Sequence, residues 1–264
     1  YAGGFFIPGT AVWSGPALDA GALERYNEKR KEGTAVDIQG LQKMTLLDWP
    51  GKVACTVFLG GCDFRCPFCH NSELLSGPMP ILMDQEGLLE FLRKRQGLLD
   101  GVCVTGGEPL LRPGLPGLLD GIKNLGFPVK LDTNGNHPDR LVRLWEQGLV
   151  DYVAMDVKNS PERYPETVGV PGLDLTPVRD SVAWLLEGHV EYEFRTTAVR
   201  QLHDAASFQA IGRWLQGARR YYIQNFVDRD TVLRAGLSGF EKAELEAFAS
   251  LVRPFVERVE VRGV

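Results

Sequence analysis

From Val53 onward the chain alternates short β-branched runs with amphipathic stretches, and this alternation limits its possible folds more than any other feature. Strand-like runs fall at 53–59, 102–105, 129–132, 152–157, 191–197 and 221–226. Between them, apolar residues recur three and four apart, the spacing of one helix face. They do so at Leu88, Phe91 and Leu92, at Leu141, Leu144 and Trp145, at Val178, Val182 and Leu185, and at Phe208, Ile211 and Leu215. Thr176-Pro177 reads as an N-cap followed by a first-turn proline, and Asp204 as the cap of the next helix. Ser238 and Glu241 have capping-box spacing before Leu245, Phe248 and Val252, and a last strand-like run, 256–261, follows. Such a pattern calls for parallel strands joined by right-handed crossovers. The span from Val53 to Phe226 falls short of the roughly 250 residues of a closed eight-unit barrel. The expected fold class is therefore α/β, a partial (β/α)6 barrel with parallel strands, with a doubly wound sheet as the other arrangement of that length.

Residues 1–36 depart from the pattern. Gly and Pro crowd the first 16 positions, and a charged stretch, ALERYNEKRKEG, follows. We read 1–36 as an N-terminal extension and 37–264 as the main domain. The extension is either a spacer or, through Gly3 and Gly4, a glycine-bearing loop that serves the main domain as substrate.

Five cysteines in 264 residues do not make a disulfide scaffold, and three of them lie in one loop after the first strand-like run, GGCDFRCPFCHN. The odd count and the clustering point to a reducing compartment, expected to be the cytoplasm, and to a metal or cluster site. Cys62, Cys66 and Cys69 stand in Cys-x3-Cys-x2-Cys spacing, which suits three corners of a cubane iron–sulfur cluster with one iron left open. A zinc site completed by His70 or by a distant residue is the alternative. Cys55 and Cys103 lie inside strand-like runs and read as core thiols. The net charge of −5 argues against nucleic acid as a partner, and no apolar run approaches the roughly 20 residues that span a bilayer.

The three-cysteine loop, with Phe68 before its last cysteine, resembles the signature of the radical S-adenosylmethionine superfamily. That resemblance implies a radical SAM-type partial barrel in which Cys62, Cys66 and Cys69 hold a [4Fe–4S] cluster. Its open iron would chelate S-adenosyl-L-methionine, and Phe68 would border the adenine. Gly106-Gly107-Glu108 resembles the family's GGE motif, whose backbone and carboxylate accept hydrogen bonds from the cofactor's amino group. Asp132-Thr133-Asn134, Asp156 with Lys158, and Arg195 resemble the cofactor-binding residues of related activating enzymes, in which carboxylates matching Asp132 and Asp156 help hold a monovalent cation. Gln224 and Asn225 end the sixth strand-like run and are weaker candidates. All these positions fall at or near carboxyl ends of successive strands, which gather on one face of a parallel barrel.

Residues 38–71 resemble the amino-terminal region of activators of anaerobic ribonucleoside-triphosphate reductase, and residues 155–170 resemble those proteins and pyruvate formate-lyase activators. The implied activity is reductive cleavage of S-adenosylmethionine to a 5′-deoxyadenosyl radical that takes a hydrogen from a glycine of a partner glycyl-radical enzyme. The implied electron donor is of flavodoxin or ferredoxin type. A radical enzyme acting on a small molecule, like 7-carboxy-7-deazaguanine synthase, is the enzymatic alternative, and a zinc-stabilised binding module the non-enzymatic one. Lys29-Arg30-Lys31 and Arg93-Lys94-Arg95 read as solvated faces. His137, His189 and His203 are scattered singly and receive no catalytic role, and Trp49-Pro50 reads as a cover for the barrel bottom or edge.

Overall fold

In the computed structural model, which describes residues 36–75 and 79–263, the strand-like runs become neighbouring parallel strands. Numbered in chain order, the strands begin with two that the sequence reading leaves unmarked, β1 (Asp37–Ile38) and β2 (Gly40–Thr45). Then come β3 (Ala54–Leu59), β4 (Met83–Asp84), β5 (Gly101–Gly106), β6 (Val129–Thr133) and β7 (Tyr152–Asp156). The series ends with β8 (Glu191–Ala198), β9 (Arg220–Asn225) and β10 (Arg258–Arg262). The main sheet has eight strands in the order β10-β9-β8-β7-β6-β5-β3-β2. Every pairing from β3 to β10 is parallel, and β2 joins β3 antiparallel as one edge. The closing run at 256–261 thus adds a further parallel strand to the six expected. Strands β1 and β4 pair with each other outside this sheet.

Helices cover the outer face: α1 (Gln85–Arg93), α2 (Leu115–Asn124), α3 (Pro138–Glu146), the single turn α4 (Tyr164–Thr167), α5 (Thr176–Leu186), α6 (Ala205–Trp214) and α7 (Lys242–Val252). Strand residues alternate between faces, so Cys55, Val57 and Leu59 of β3 pack in one core with Leu88, Leu92 and Leu118 from the helices. Both expected core thiols, Cys55 and Cys103, are fully buried.

Cap details shift where the sequence offered more than one candidate. Asp204 caps α6 as expected, accepting from the Ser207 N–H at 2.8 Å. Thr176 lies inside α5 rather than capping it, and Asp174 Oδ1 takes its N–H at 2.9 Å. The capping box of α7 sits three residues later than Ser238, with Glu241 at the N-cap and the Glu244 carboxylate accepting its N–H at 2.9 Å. Helix α2 was masked by PGLPG, because a proline in a first turn costs no hydrogen bond and so does not stop a helix there.

The inner face explains why the barrel is not filled by aliphatic layers. Trp49, Ala54, Cys103 and Tyr152 form a small separate cluster toward the amino ends of the strands. The Trp49 and Tyr152 rings are 6.0 Å apart there, so the tryptophan covers the barrel bottom. Toward the carboxyl ends, the inward positions become Asp132, Asp156, Arg195, Thr197 and Gln224, lining a cavity of about 500 Å³. Residues from both edges of the sheet, Leu46 and Leu47 after β2 and Arg262 in β10, line the same cavity. The sheet therefore curls into a barrel with an open seam between β2 and β10. The extension at 1–35, with Gly3 and Gly4, lies outside the described residues. Among the described residues no helix is long and apolar enough to cross a membrane.

Candidate active site

The cavity gathers Cys62, Cys66, Cys69, Phe68, Gly106, Gly107, Asp132, Thr133, Asn134, Asp156, Lys158, Arg195 and Gln224 on one wall system. All three cysteines are free thiols. Burial pushes the Cys62 and Cys66 thiols up to about 12 and raises Cys69 as well. Each therefore keeps its proton at neutral pH until a metal displaces it. Among the described residues, no three His, Cys, Asp or Glu side chains converge as ligands of a single ion do. Nor does His70 complete a zinc set: its Nε2 lies 2.7 Å from the Val227 carbonyl and its ring stacks on Phe226. Three unpaired thiols that line one cavity without meeting at one point fit a cubane, in which each thiolate takes its own iron.

Two glycines make the approach of the cysteine loop possible. Gly106 has φ +126°, and a Cβ there would collide with the Leu59 backbone, while one on Gly107 would strike the Gly61 carbonyl. Close backbone packing replaces it: Gly107 N–H donates to Leu59 O at 2.9 Å and Glu108 N–H to Gly61 O at 2.7 Å. The motif thus needs glycine to seat its own loop against β3 and the cysteine loop.

Glu108 differs from expectation. It is fully buried and does not line the cavity. Its Oε1 accepts from Thr133 Oγ1 at 2.9 Å and Leu110 N at 3.0 Å, and its Oε2 from Asn134 N at 2.7 Å. Burial pushes its carboxyl up to about 7 even against these three donors. Its carboxylate braces the loop after β6 rather than reaching a cofactor amino group. Asn225 also turns away, exchanging hydrogen bonds with the Phe240 backbone at 2.9 Å each.

Arg195 is a charge within β8, and β6 and β7 supply its partners. Its Nε donates to Asp156 Oδ1 at 3.0 Å and its NH1 to Asp132 Oδ2 at 3.2 Å. Lys158 Nζ takes the other Asp156 oxygen at 2.9 Å, and the fully buried Lys130 takes the other Asp132 oxygen at 2.5 Å. Burial alone would raise the Asp156 carboxyl, yet Arg195 and Lys158 hold it down at about 2. The carboxylate pair expected to help cradle a monovalent cation is instead bridged by a guanidinium, with all four oxygens engaged by protein cations. Of these cations Lys158 and Arg195 line the cavity, where their remaining N–H groups are suited to a carboxylate.

Sequence reasoning missed several cavity residues. Asp48 Oδ2 accepts from Thr56 Oγ1 at 2.6 Å, and both line the cavity. The Arg262 guanidinium lies 3.3 Å over the Tyr222 ring at the opposite edge. Asp48 was legible only as a polar residue within the apolar LLDWP. Arg262 carried no signal, because it falls one residue beyond the expected run at 256–261.

The Radical SAM superfamily profile matches residues 56–205, which include the cysteine loop and β5 through β8. The chain belongs to the radical SAM superfamily. As a radical SAM enzyme it uses a [4Fe–4S] cluster and S-adenosylmethionine, and the zinc-module reading falls. A provisionally assigned glycyl-radical enzyme activating enzyme of Methanocaldococcus jannaschii is 28% identical, over 86% of this chain and 96% of that protein. The 7-carboxy-7-deazaguanine synthase of Hyperthermus butylicus is 36% identical, over 61% of this chain and 64% of the synthase. In fold, the radical SAM domain is similar to Streptococcus suis SuiB bound to S-adenosylmethionine (TM-score 0.62, 13% identity), covering 77% of this chain and 48% of SuiB.

Proposed function

We propose that this radical SAM enzyme is a glycyl-radical enzyme activating enzyme, whose substrate is a backbone glycine of a partner protein. The observation that carries the reading is the extent of the Methanocaldococcus jannaschii match, which runs over 96% of that relative. The resemblance of residues 38–71 to activators of anaerobic ribonucleoside-triphosphate reductase names that reductase as the partner. A flavodoxin or ferredoxin-type protein in a reducing cytoplasm fits as electron donor.

In this reading Cys62, Cys66 and Cys69 hold the [4Fe–4S] cluster, and a partner docked over the open seam excludes water and competing reactions. When bound and reduced, the cluster supplies the electron that splits S-adenosylmethionine into methionine and the hydrogen-abstracting 5′-deoxyadenosyl radical. Phe68 packs against the adenine. The Gly106 and Gly107 backbone, with Thr133 and Asn134, forms the polar wall, and Lys158 and Arg195 receive the methionine carboxylate. Asp132 and Asp156 keep those cations in place, and Glu108 acts on the site through the loop it braces.

A protein substrate also accounts for the open seam. Leu46 and Leu47, which line the cavity, are 67% and 58% exposed, and Met44 just before them on β2 is 65% exposed. Such an apolar edge is costly in water unless another surface covers it, and a small molecule inside the cavity would leave Met44 bare. The second reading, a 7-carboxy-7-deazaguanine synthase-like activity, is favoured by the 36% identity to the Hyperthermus butylicus enzyme. Anaerobic incubation with reductant, S-adenosylmethionine and the candidate reductase, followed by electron paramagnetic resonance, separates the two. A glycyl doublet growing on the reductase is expected. Cofactor cleavage without that doublet, together with turnover of a small molecule in the absence of any protein partner, would favour the synthase reading.

A further inference from the structure

Asp63, between the first cysteine and Phe64, receives its nitrogen donors from 71 to 74 residues away. Asn134 Nδ2 donates to Asp63 Oδ1 at 2.7 Å, Asn136 Nδ2 to Oδ2 at 2.7 Å, and His137 Nε2 to Oδ2 at 2.9 Å. An ionised carboxylate only accepts, so the histidine proton sits on Nε2. The Asn134 amide cannot turn over, because its Oδ1 accepts the Asn136 N–H at 2.9 Å. An amide nitrogen has two hydrogens. With one committed to Asp63, the other is within reach of Cys62 Sγ, 3.9 Å from Nδ2, and the Phe64 N–H reaches the same sulfur at 3.4 Å.

We propose that Asp63, Asn136 and His137 form a clamp that aims the Asn134 amide at Cys62 Sγ and so positions and tunes the cluster. This rests on the proposed role of Cys62 as a cluster ligand. Two opposed electrostatic effects meet at that sulfur. Hydrogen bonds to a cluster sulfur favour the reduced state. A carboxylate only 3.9 Å from Cys62 Sγ opposes it, because the reduced cluster carries one more negative charge. The three donors on Asp63 draw its charge away from the sulfur. None of Asp63, Asn136 and His137 is among the cavity-lining residues, so they act through the loop and are positioning residues.

The balance gives a signature with signs. His137→Ala removes one donor, leaves the carboxylate less compensated, and lowers the cluster's reduction potential. Asp63→Asn removes the charge, keeps an amide oxygen that accepts from Asn134, and so raises it. The double variant matches Asp63→Asn alone, since His137 works only through Asp63. His137→Gln keeps an N–H donor and retains the wild-type potential. The test is a redox titration of the anaerobically reconstituted full chain, followed by electron paramagnetic resonance. A second readout is iron release to a ferrous chelator, expected to be about ten-fold faster in His137→Ala, in the range for loss of a residue that supports a metal ligand. Equal potentials in the wild type and both single variants, or a shift of both in one direction, would overturn the clamp. Failure of a different kind, a wild-type potential and release rate in a Cys62→Ala chain, would instead remove the assignment on which it rests.

Discussion

The two sides of the cavity are built by different means. On the cofactor side, nearly every polar group is committed: Glu108 to three donors, Asp63 to three more, and Arg195 to two carboxylates. On the seam side, between β2 and β10, Met44, Leu46 and Leu47 stand largely exposed, and Arg262 is held by the face of Tyr222. One side is preorganised for a small, fixed ligand whose charges must be met atom by atom. The other is an unfinished surface, as expected where a second protein supplies what is missing. Damage to the first should cost stability as well as function, and damage to the second should cost only the partner reaction.

Arg195→Met breaks the first side most severely. It leaves Asp132 and Asp156 facing each other, mostly out of water, without their shared cation. The expected loss is about 2–4 kcal/mol of folding stability, at or below the range for breaking a fully buried pair. Urea unfolding of the iron-free chain measures it, and a midpoint unchanged from wild type would show that the guanidinium is not what holds the pair. Met44→Asp attacks the seam. Folding stability is expected to stay within about 0.5 kcal/mol of wild type. Glycyl-radical formation on the partner should fall about ten-fold, equivalent to ~1.4 kcal/mol of docking energy. Uncoupled formation of 5′-deoxyadenosine should stay at the wild-type rate; a parallel drop in both yields would place Met44 in the cofactor side instead.

The smallest effect sharpens the same contrast through pH. Burial holds the Glu108 carboxyl up at about 7, above its ordinary value of 4.5. Its folded state therefore binds a proton more tightly than its unfolded state. The stability linked to that proton is fully present below pH 4.5 and is lost as pH rises through 7. Urea midpoints between pH 5 and 8 should show this decline, and Glu108→Gln, whose amide does not titrate, should lack its share of it. The variant should also be less stable throughout, because its –NH2 group must face an N–H or O–H donor.

How far each side could be read from the sequence follows from the same difference. The strands announce themselves because a parallel strand buried on both faces needs β-branched runs, as in VCVTG and VKLDT. Strand β2 is an edge whose Gln42 and Lys43 sit outside the core, and its pattern gives no such run. The cysteine loop is legible because its chemistry requires three like residues close in sequence. The Asp63 clamp is not, because its donors come from the loop after β6 and only the fold brings them together. Glu108 was placed correctly along the chain but assigned the wrong neighbour, since sequence shows which residue ends a strand and not which way its side chain turns. Arg262 falls one residue beyond the run that the sequence marks, and only the sheet extends β10 to it.

The central claim is that three thiolates hold a cluster with one open corner, where S-adenosylmethionine is split. Its most direct test is Cys66→Ala, reconstituted anaerobically beside the wild type and assayed for iron, acid-labile sulfide and 5′-deoxyadenosine. The wild type should hold about four irons and four sulfides per chain and release the nucleoside under reducing conditions, and the variant should do neither. A Cys66→Ala chain that carries the full iron and sulfide and cleaves the cofactor at the wild-type rate would contradict the account.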